Sequence, residues 1–141
     1  MTMRPANDSI HHANAPCIQS NNQQLHFLIV DDDHFIRDIL QLIFSDYANI
    51  TLACDGKEAL QEIHTHKFDL IISDVNMPVM NGIDFFKNLY ETHPEIGSKF
   101  LFCTGEATSE LSDLCSKFKI RSCNKPINLR AIKTLVSEIV S

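Results

Sequence analysis

The chain has 141 residues, of which 44% are hydrophobic, and a formal net charge of -6. This length and apolar content suit one domain of ordinary size, and the net acidity argues against direct nucleic-acid binding, which needs clustered Lys and Arg side chains. No apolar run approaches the roughly 20 residues of a membrane-spanning helix, and five scattered cysteines without a C-x-x-C pair are typical of free thiols in a reducing compartment. We therefore expect a cytoplasmic protein that binds neither nucleic acid nor membrane.

The first part of the chain differs in composition from the rest. Residues 1–24 are rich in Asn, Gln, Ser, Pro, Ala and His and show no apolar periodicity. Segments of this kind bury too little apolar surface to offset the entropy of ordering. We expect a disordered tail or an interdomain linker over residues 1–24 and one folded domain over residues 25–141.

From residue 25 onward, apolar runs with the length of strands alternate with segments of helical periodicity. The first run, "HFLIV", is continuously apolar, as expected of a strand buried on both faces of a parallel sheet. The five predicted strands are residues 26–30, 49–54, 68–73, 99–104 and 120–124. The predicted helices are residues 34–47, 55–66 with Asp55 as N-cap, 83–92, a fourth with its apolar face over 111–118, and a fifth capped by Asn128. Apolar residues at helical spacing mark the first of them: Phe35, Ile36, Ile39, Leu40, Ile43 and Phe44. This alternation predicts an α/β domain with a parallel sheet covered by helices on both faces.

Acidic side chains follow the first and third predicted strands. Asp31 and Asp32 come directly after the first strand, and Asp74 directly after the third. Ligands of doubly wound sheets bind beyond the carboxyl ends of the strands where strand order reverses, and these two strands can be neighbours there. Three carboxylates crowded into one pocket would raise the pKa of at least one of them. A hard divalent cation relieves this repulsion, so the pattern predicts a Mg²⁺ site.

Two further polar residues fall at the same edge of the predicted sheet. Thr104 ends the fourth strand and Lys125 follows the fifth. A hydroxyl and an ammonium that face metal-bound carboxylates suit a phosphoryl group, because phosphoryl transfer needs mainly positioning and charge neutralisation. One of the aspartates can then attack phosphorus as a covalent nucleophile.

Four motifs, in this order and spacing, resemble the receiver domain of two-component response regulators. They are "LIVDDD", "LIISDVNMPVMNG", "FCTGE" and "NKPI", and the resemblance covers residues 25–140. Each motif is weak alone, but their placement at the ends of four of the five predicted strands is specific. The resemblance implies a single five-stranded parallel sheet, doubly wound as (βα)5, with the flavodoxin-like strand order 2-1-3-4-5.

The resemblance also assigns the residues that handle phosphate. It implies that Asp74 is the phosphoacceptor, Thr104 the hydroxyl and Lys125 the lysine of the family. In receivers, the residues two beyond the phosphoacceptor and two beyond the threonine tune hydrolysis. Here they are Asn76 and Glu106, whose polar groups can orient water, so we expect comparatively quick spontaneous dephosphorylation.

The metal site follows from the same correspondence. Mg²⁺ would be held by Asp32, Asp74 and the main-chain carbonyl of Asn76, with Asp31 acting mostly through water. Asp33 falls where the family tolerates many residues, and we interpret it as a cap of the helix that follows.

One position departs from the family pattern. Many receivers carry Tyr or Phe three residues before the lysine, and that ring changes orientation on phosphorylation, but here the residue is Ser122. We therefore expect the phosphorylated state to be transmitted through the loop from Gly105 to Thr108, pulled by Thr104.

The leading functional hypothesis is a signalling switch phosphorylated by a histidine kinase or a histidine phosphotransfer protein. Its only catalysis would be its own phosphorylation and autodephosphorylation, and it would change its affinity for an unknown downstream protein. An alternative is a haloacid-dehalogenase-type phosphatase with Asp31 as nucleophile and Asp33 as acid, although the later acidic pair and the cap domain of that family are missing. A docking-only pseudo-receiver is a third reading, and the full acid set argues against it.

The sequence context leaves two arrangements open. We expect no output domain, whether a helix-turn-helix or an effector enzyme, after the receiver. The chain is expected to be either a stand-alone receiver or the terminal receiver of a hybrid histidine kinase, with residues 1–24 as the linker in the second case.

Overall fold

The computed structural model describes residues 24–141, where five strands alternate with five α-helices. The strands are β1 (Leu25–Val30), β2 (Ala48–Ala53), β3 (Leu70–Ser73), β4 (Phe100–Thr104) and β5 (Arg121–Asn124). The helices are α1 (His34–Phe44), α2 (Gly56–Thr65), α3 (Gly82–Thr92), α4 (Ser109–Phe118) and α5 (Leu129–Val140). All ten predicted elements are present, and the predicted tail lies outside the described residues except for its last residue.

Most predicted boundaries differ from the observed ones by one or two residues, and two differences are larger. α1 ends at Phe44 rather than at residue 47, because the chain turns at once toward β2 and the amide of Tyr47 donates to the carbonyl of Phe44 (2.9 Å). A short 3₁₀ helix, Pro94–Lys99, was not predicted; it joins α3 to β4. Both features are connections, whose paths depend on where the next strand begins.

Helix N-termini are capped by the short polar side chains that the sequence places there. Asp33 accepts a hydrogen bond from the amide of Phe35 (2.9 Å), Asp55 from that of Glu58 (2.8 Å), and Asn128 from that of Ala131 (2.9 Å). These bonds satisfy donors that a helix leaves free at its first turn. Asp33 is therefore a helix cap, as expected.

The sheet is parallel throughout, with the order β2-β1-β3-β4-β5. This is the order that the resemblance implied. Val30 pairs with Ser73 in register, so Asp31 and Asp74, the residues that follow them, leave the sheet side by side. The acidic residues therefore lie between β1 and β3, at the point where the strand order reverses.

Alternating residues of the strands build two hydrophobic layers. One layer packs the sheet against α2, α3 and α4 and includes Phe100 and Phe102, whose ring centroids lie 4.8 Å apart. The two rings therefore share a face of the sheet, as period-two geometry requires. The other layer packs the opposite face against α1 and α5 through residues such as Phe27, Phe44 and Val136. None of the helices within residues 24–141 has the length and hydropathy to cross a bilayer.

Only part of the apolar stripe of α1 is buried. Leu40 and Phe44 pack against the sheet, whereas Phe35 is 65% exposed and Ile39 44% exposed. Leu42 is 79% exposed. Because residues 35, 39 and 42 are spaced by four and three positions, they lie along one side of the helix.

Candidate functional site

Asp31 is buried at the carboxyl end of β1 and has a partner for each side-chain oxygen. Oδ1 accepts the amide of Asp33 (2.9 Å), and Oδ2 lies 2.8 Å from Nζ of Lys125. Burial raises the pKa of Asp31, as does the charge of Asp74, and the hydrogen bonds from Lys125 and Asp33 only partly oppose this. Asp31 is therefore held in place before any cation or phosphate binds.

Asp74 stands beside it at the end of β3, the middle strand of the sheet. Its amide donates to the carbonyl of Val30 (2.9 Å), its Oδ1 accepts the amide of Val75 (2.7 Å), and its Oδ2 lies 3.1 Å from Nζ of Lys125. The residue is 7% exposed. The carboxylate is thus oriented by the backbone of its own loop and by one ammonium group.

Lys125 follows β5, and its ammonium group contacts both carboxylates. Its backbone amide donates to the carbonyl of Thr104 (2.7 Å), which anchors the residue where β5 ends. Burial alone would lower the pKa of Lys125, but the hydrogen bonds and charges of Asp31 and Asp74 outweigh burial and raise it. The side chain is therefore a fixed cation at neutral pH.

We predict that Lys125→Met destabilises the protein in the absence of divalent cations. The variant would leave two buried carboxylates without their cation, which we expect to cost about 1–3 kcal/mol at a site open to solvent. Urea unfolding monitored by circular dichroism would measure the change. Lys133→Met, a substitution at a helix surface beside Tyr47, is the control and should cost much less. Equal costs for the two variants would contradict a structural role for the Lys125 ion pairs.

Three carboxylates are close enough to share a metal ion. Asp31, Asp32 and Asp74 each offer an oxygen, and these atoms lie within 4.8 Å of one another. Asp31 and Asp74 are buried, whereas Asp32 is exposed. One lysine cannot neutralise three carboxylates, so the donor set fits a hard divalent cation that prefers oxygen ligands and retains water. Asn76 is exposed on the loop two residues beyond Asp74.

Thr104 lies at the end of β4, 1% exposed, and its hydroxyl is engaged within its own loop. Oγ1 accepts the amide of Glu106 and donates to the carbonyl of Glu106, both at 3.1 Å. The Glu106 side chain is exposed. The hydroxyl therefore fixes the loop after β4 through two hydrogen bonds to the backbone of Glu106.

Three residues support the site and were not assigned to it from the sequence. Arg37 donates to the backbone carbonyl of Asp31, and the hydroxyl of Ser73 donates to that of Asp74 (2.8 Å). Gly82 passes so close that a Cβ atom there would lie 2.0 Å from the carbonyl oxygen of Asp74. In the sequence, Asn81-Gly82 indicates only a turn, because this close approach depends on how α3 packs.

Ser122 lies beside an open groove between β5 and α4. The groove has a volume of about 420 Å³, and its lining includes Thr104, Leu111, Ser122 and Asn124. The side chain of Ser122 does not fill this groove, because serine is small and is exposed there.

Comparison with known proteins agrees with this geometry. The family model "Response regulator receiver domain" matches residues 27–137. The chain is 32% identical over 123 residues to the autoinducer 1 sensor kinase/phosphatase LuxN of Vibrio harveyi, a match that covers 86% of this chain and 14% of that protein. The chain thus spans a small part of the length of this relative.

Solved structures of receiver domains are also similar to this chain. A CheY-like response regulator receiver domain protein from Methanospirillum hungatei has a TM-score of 0.76 and 27% identity, covering 84% of this chain and 94% of that chain. The chemotaxis protein CheY4 of Vibrio cholerae has a TM-score of 0.75 and 29% identity, covering 83% and 99%. A parallel sheet in the order 2-1-3-4-5 carries the acidic cluster and Lys125 at the ends of its strands. The chain belongs to the family of response regulator receiver domains.

Proposed function

We propose that this receiver is switched by phosphorylation of Asp74, with a histidine kinase or a histidine phosphotransfer protein as donor. The observation that supports Asp74 most directly is its position on the middle strand, 3.1 Å from the Lys125 ammonium and within the three-carboxylate cluster. Asp31 is less suited to attack phosphorus because it is 2% exposed against 7% for Asp74, and its Oδ2 lies closer to Nζ of Lys125, at 2.8 Å against 3.1 Å. Asp32 is exposed and has no described ion pair with Lys125.

In the proposed reaction, a carboxylate oxygen of Asp74 forms a bond to phosphorus as the bond from phosphorus to the donor's nitrogen or oxygen breaks. Lys125 stabilises the negative charge on the transferred oxygens. Asp32, Asp74 and the carbonyl of Asn76 would hold Mg²⁺, with Asp31 contributing through water. When bound, the ion would supply the further positive charge that three carboxylates and a phosphoryl group require.

The test is incubation with acetyl phosphate and Mg²⁺, followed by intact-mass spectrometry. We expect addition of one phosphoryl group, reversed by hydroxylamine because an acyl phosphate is the product. Chelation of Mg²⁺ by EDTA should prevent the addition. A protein that gains no phosphoryl group from acetyl phosphate or from any phosphorylated histidine donor would contradict the proposal.

We predict weak Mg²⁺ binding at the acidic cluster in the absence of phosphate. The site is partly open to solvent, and Mg²⁺ gives up its water reluctantly. The chain contains no tryptophan, so NMR titration is the suitable measurement, with shifts expected for the amides of residues 31–33 and 74–77. Asp32→Asn should weaken binding, whereas Asp38→Asn, on the exposed surface of α1, should not. Shifts confined to the surface of α1 would place the ion elsewhere.

The response to phosphorylation is proposed to begin at Thr104. Its hydroxyl would leave Glu106 and donate to a phosphoryl oxygen, and the loop from Gly105 to Thr108 would move with it. Because Ser122 has no ring to rotate into the groove beside α4, this loop would carry the change to α4. Asn76 and Glu106 are exposed near the site, and we propose that they orient the water that hydrolyses the phosphoryl group.

The exposed apolar side of α1 supports a protein donor. Phe35, Ile39 and Leu42 form this apolar stripe, and α1 begins three residues after Asp31. An exposed apolar stripe beside a reactive site is typical of a surface that binds an amphipathic partner helix. We propose that the phosphodonor docks here and brings its phosphohistidine to Asp74.

We predict that Ile39→Ser slows phosphorylation by a protein donor but not by acetyl phosphate. Loss of one buried aliphatic contact would cost about 1–2 kcal/mol of binding free energy, or roughly tenfold in affinity. Phosphotransfer from a purified histidine phosphotransfer protein would measure the first rate. Lys57→Ser, on the surface of α2, is the control. An equal loss with both donors would show that Ile39 acts on the site itself and not on docking.

The relation to LuxN favours a receiver that works with a sensor kinase, in the same chain or another. The phosphatase alternative loses support because the Asp33 carboxylate, which would be its acid, caps α1. The docking-only alternative predicts no phosphoryl uptake and is decided by the same mass measurement.

A further inference from the structure

Two cysteines that the proposed phosphorylation chemistry does not use lie directly opposite each other on neighbouring strands. Cys103 of β4 pairs in register with Cys123 of β5, and their sulfur atoms are 2.6 Å apart. Adjacent strands are about 4.8 Å apart, which lies within the range of Cα separations that a disulfide spans. Both residues are free thiols in this structure, and the sulfurs need to approach by only about 0.5 Å to reach the S–S bond length of roughly 2.05 Å.

The two thiols differ in access and in charge. Cys103 is 1% exposed, whereas Cys123 is partly exposed. The hydrogen bond between the two thiols, in which either sulfur can be the donor, and the nearby Lys125 ammonium lower the pKa of Cys123 despite its burial. A more acidic and more accessible thiol is the one that reacts first with an oxidant.

The other described cysteines are in less reactive surroundings. Cys54 is exposed, but its hydrogen bond with Glu58, and the charges of Glu58 and Asp55, raise the pKa of Cys54. Burial raises the pKa of Cys115. Exposure by itself would select Cys54, whereas geometry and charge select Cys123.

We propose that Cys103 and Cys123 are a peroxide-sensitive modification site, whose oxidation to a disulfide joins β4 to β5 and slows phosphorylation of Asp74. The Cys123 thiolate attacks one oxygen of hydrogen peroxide; an S–O bond forms, the O–O bond breaks, and hydroxide leaves and is protonated to water. The Cys103 sulfur then attacks the resulting sulfenic acid; an S–S bond forms, the S–O bond breaks, and the Cys103 proton leaves with hydroxide as a second water. Two thiols are oxidised and one peroxide is reduced.

The cross-link would lie one or two residues before the residues proposed to bind the phosphoryl group. Thr104 follows Cys103, Lys125 is two residues beyond Cys123, and a backbone hydrogen bond of 2.7 Å already joins Lys125 to Thr104. Drawing the two strands together there would shift the Lys125 ammonium relative to Asp31 and Asp74. This second part of the proposal rests on the proposed function, whereas the thiol chemistry does not.

The first experiment measures the thiol chemistry alone. The full chain is treated with low concentrations of hydrogen peroxide, remaining thiols are blocked with N-ethylmaleimide, and tryptic peptides are analysed by mass spectrometry. Trypsin leaves Cys103 and Cys115 on one peptide, residues 100–117. The measurement therefore uses the triple variant Cys17→Ser, Cys54→Ser, Cys115→Ser. We expect a cross-linked pair of peptides that dithiothreitol separates, and no cross-link in the same background with Cys123→Ser.

Two results would overturn this part. One is oxidation of Cys123 to sulfinic acid while Cys103 stays alkylatable after unfolding. The other is oxidation of Cys54 in the wild-type chain before any cross-link between strands forms. In either case the pair is only two core cysteines in contact.

The second experiment measures phosphorylation of the reduced and the oxidised protein with acetyl phosphate and Mg²⁺. We expect the oxidised protein to be phosphorylated about tenfold more slowly, since small displacements of positioned groups have effects of this size, and dithiothreitol should restore the rate. Cys123→Ser should be phosphorylated normally and be insensitive to peroxide. A cross-linked protein with an unchanged rate would overturn the regulatory part. If the reduced protein takes up no phosphoryl group, the proposed function is wrong. The cross-link is then tested by the first experiment alone.

Discussion

Replacing Asp74 by Asn should reduce phosphoryl uptake from acetyl phosphate by at least about 100-fold, because the variant removes the proposed nucleophile and leaves no covalent intermediate to form. The amide is nearly the same size as the carboxylate, so the fold should be retained. Loss of one negative charge from the three-carboxylate cluster also relieves repulsion. A folded but unreactive protein is therefore the expected result, measured by circular dichroism and by intact mass after timed incubation.

Asp33→Asn is the matched control for that variant. Asp33 lies two residues beyond Asp31 and carries the same charge, but its side chain caps α1 and takes no part in the acidic cluster. Asparagine caps helices about as well as aspartate, so this variant should keep both stability and phosphoryl uptake. If Asp74→Asn is labelled at the wild-type rate, another residue is the acceptor. If both variants lose uptake equally, the effect is one of overall charge.

Replacing Gly82 by Ala should have the largest effect on the fold and should reach the site through the backbone. The added Cβ would lie 2.0 Å from the carbonyl oxygen of Asp74 and 3.1 Å from Cα of Val75. These are backbone atoms that cannot rotate away, so either α3 or the loop after β3 must move. We expect a loss of about 3 kcal/mol or more in the free energy of unfolding, beyond ordinary overpacking.

Gly105→Ala provides the comparison within the same chain. A Cβ at Gly105 meets no atom within 4 Å, so the variant should stay within about 0.5 kcal/mol of the wild type. Urea unfolding would give both free energies, and phosphorylation by acetyl phosphate would show whether displacement of Asp74 slows the reaction. A Gly82→Ala protein as stable and as reactive as Gly105→Ala would mean that the close contact at Asp74 is wrong.

The order of the elements could be predicted because it is encoded locally, whereas the strand order 2-1-3-4-5 was implied by the resemblance to receiver domains. Continuous apolar runs such as 26–30 identify strands buried on both faces, and short polar residues such as Asp55 and Asn128 identify the first turns of helices. In a parallel sheet all strands end at one edge, so the polar residues after those strands gather there. This is why Asp31, Asp74 and Lys125 could be assigned to one site before their distances were known.

The tertiary structure alone decided how these groups are partnered. Lys125 reaches Asp31 across 94 residues of sequence, and no local pattern shows that the lysine bonds both acids or that the Thr104 hydroxyl binds within its own loop. Likewise, helical periodicity predicted the apolar positions of α1 but not which of them the sheet covers. In the folded chain Phe35 stays exposed. The five cysteines appear scattered in the sequence, yet the pairing of β4 with β5 places Cys103 against Cys123. Periodicity is a property of a segment, whereas contact between segments depends on register and docking, which only the packed chain determines.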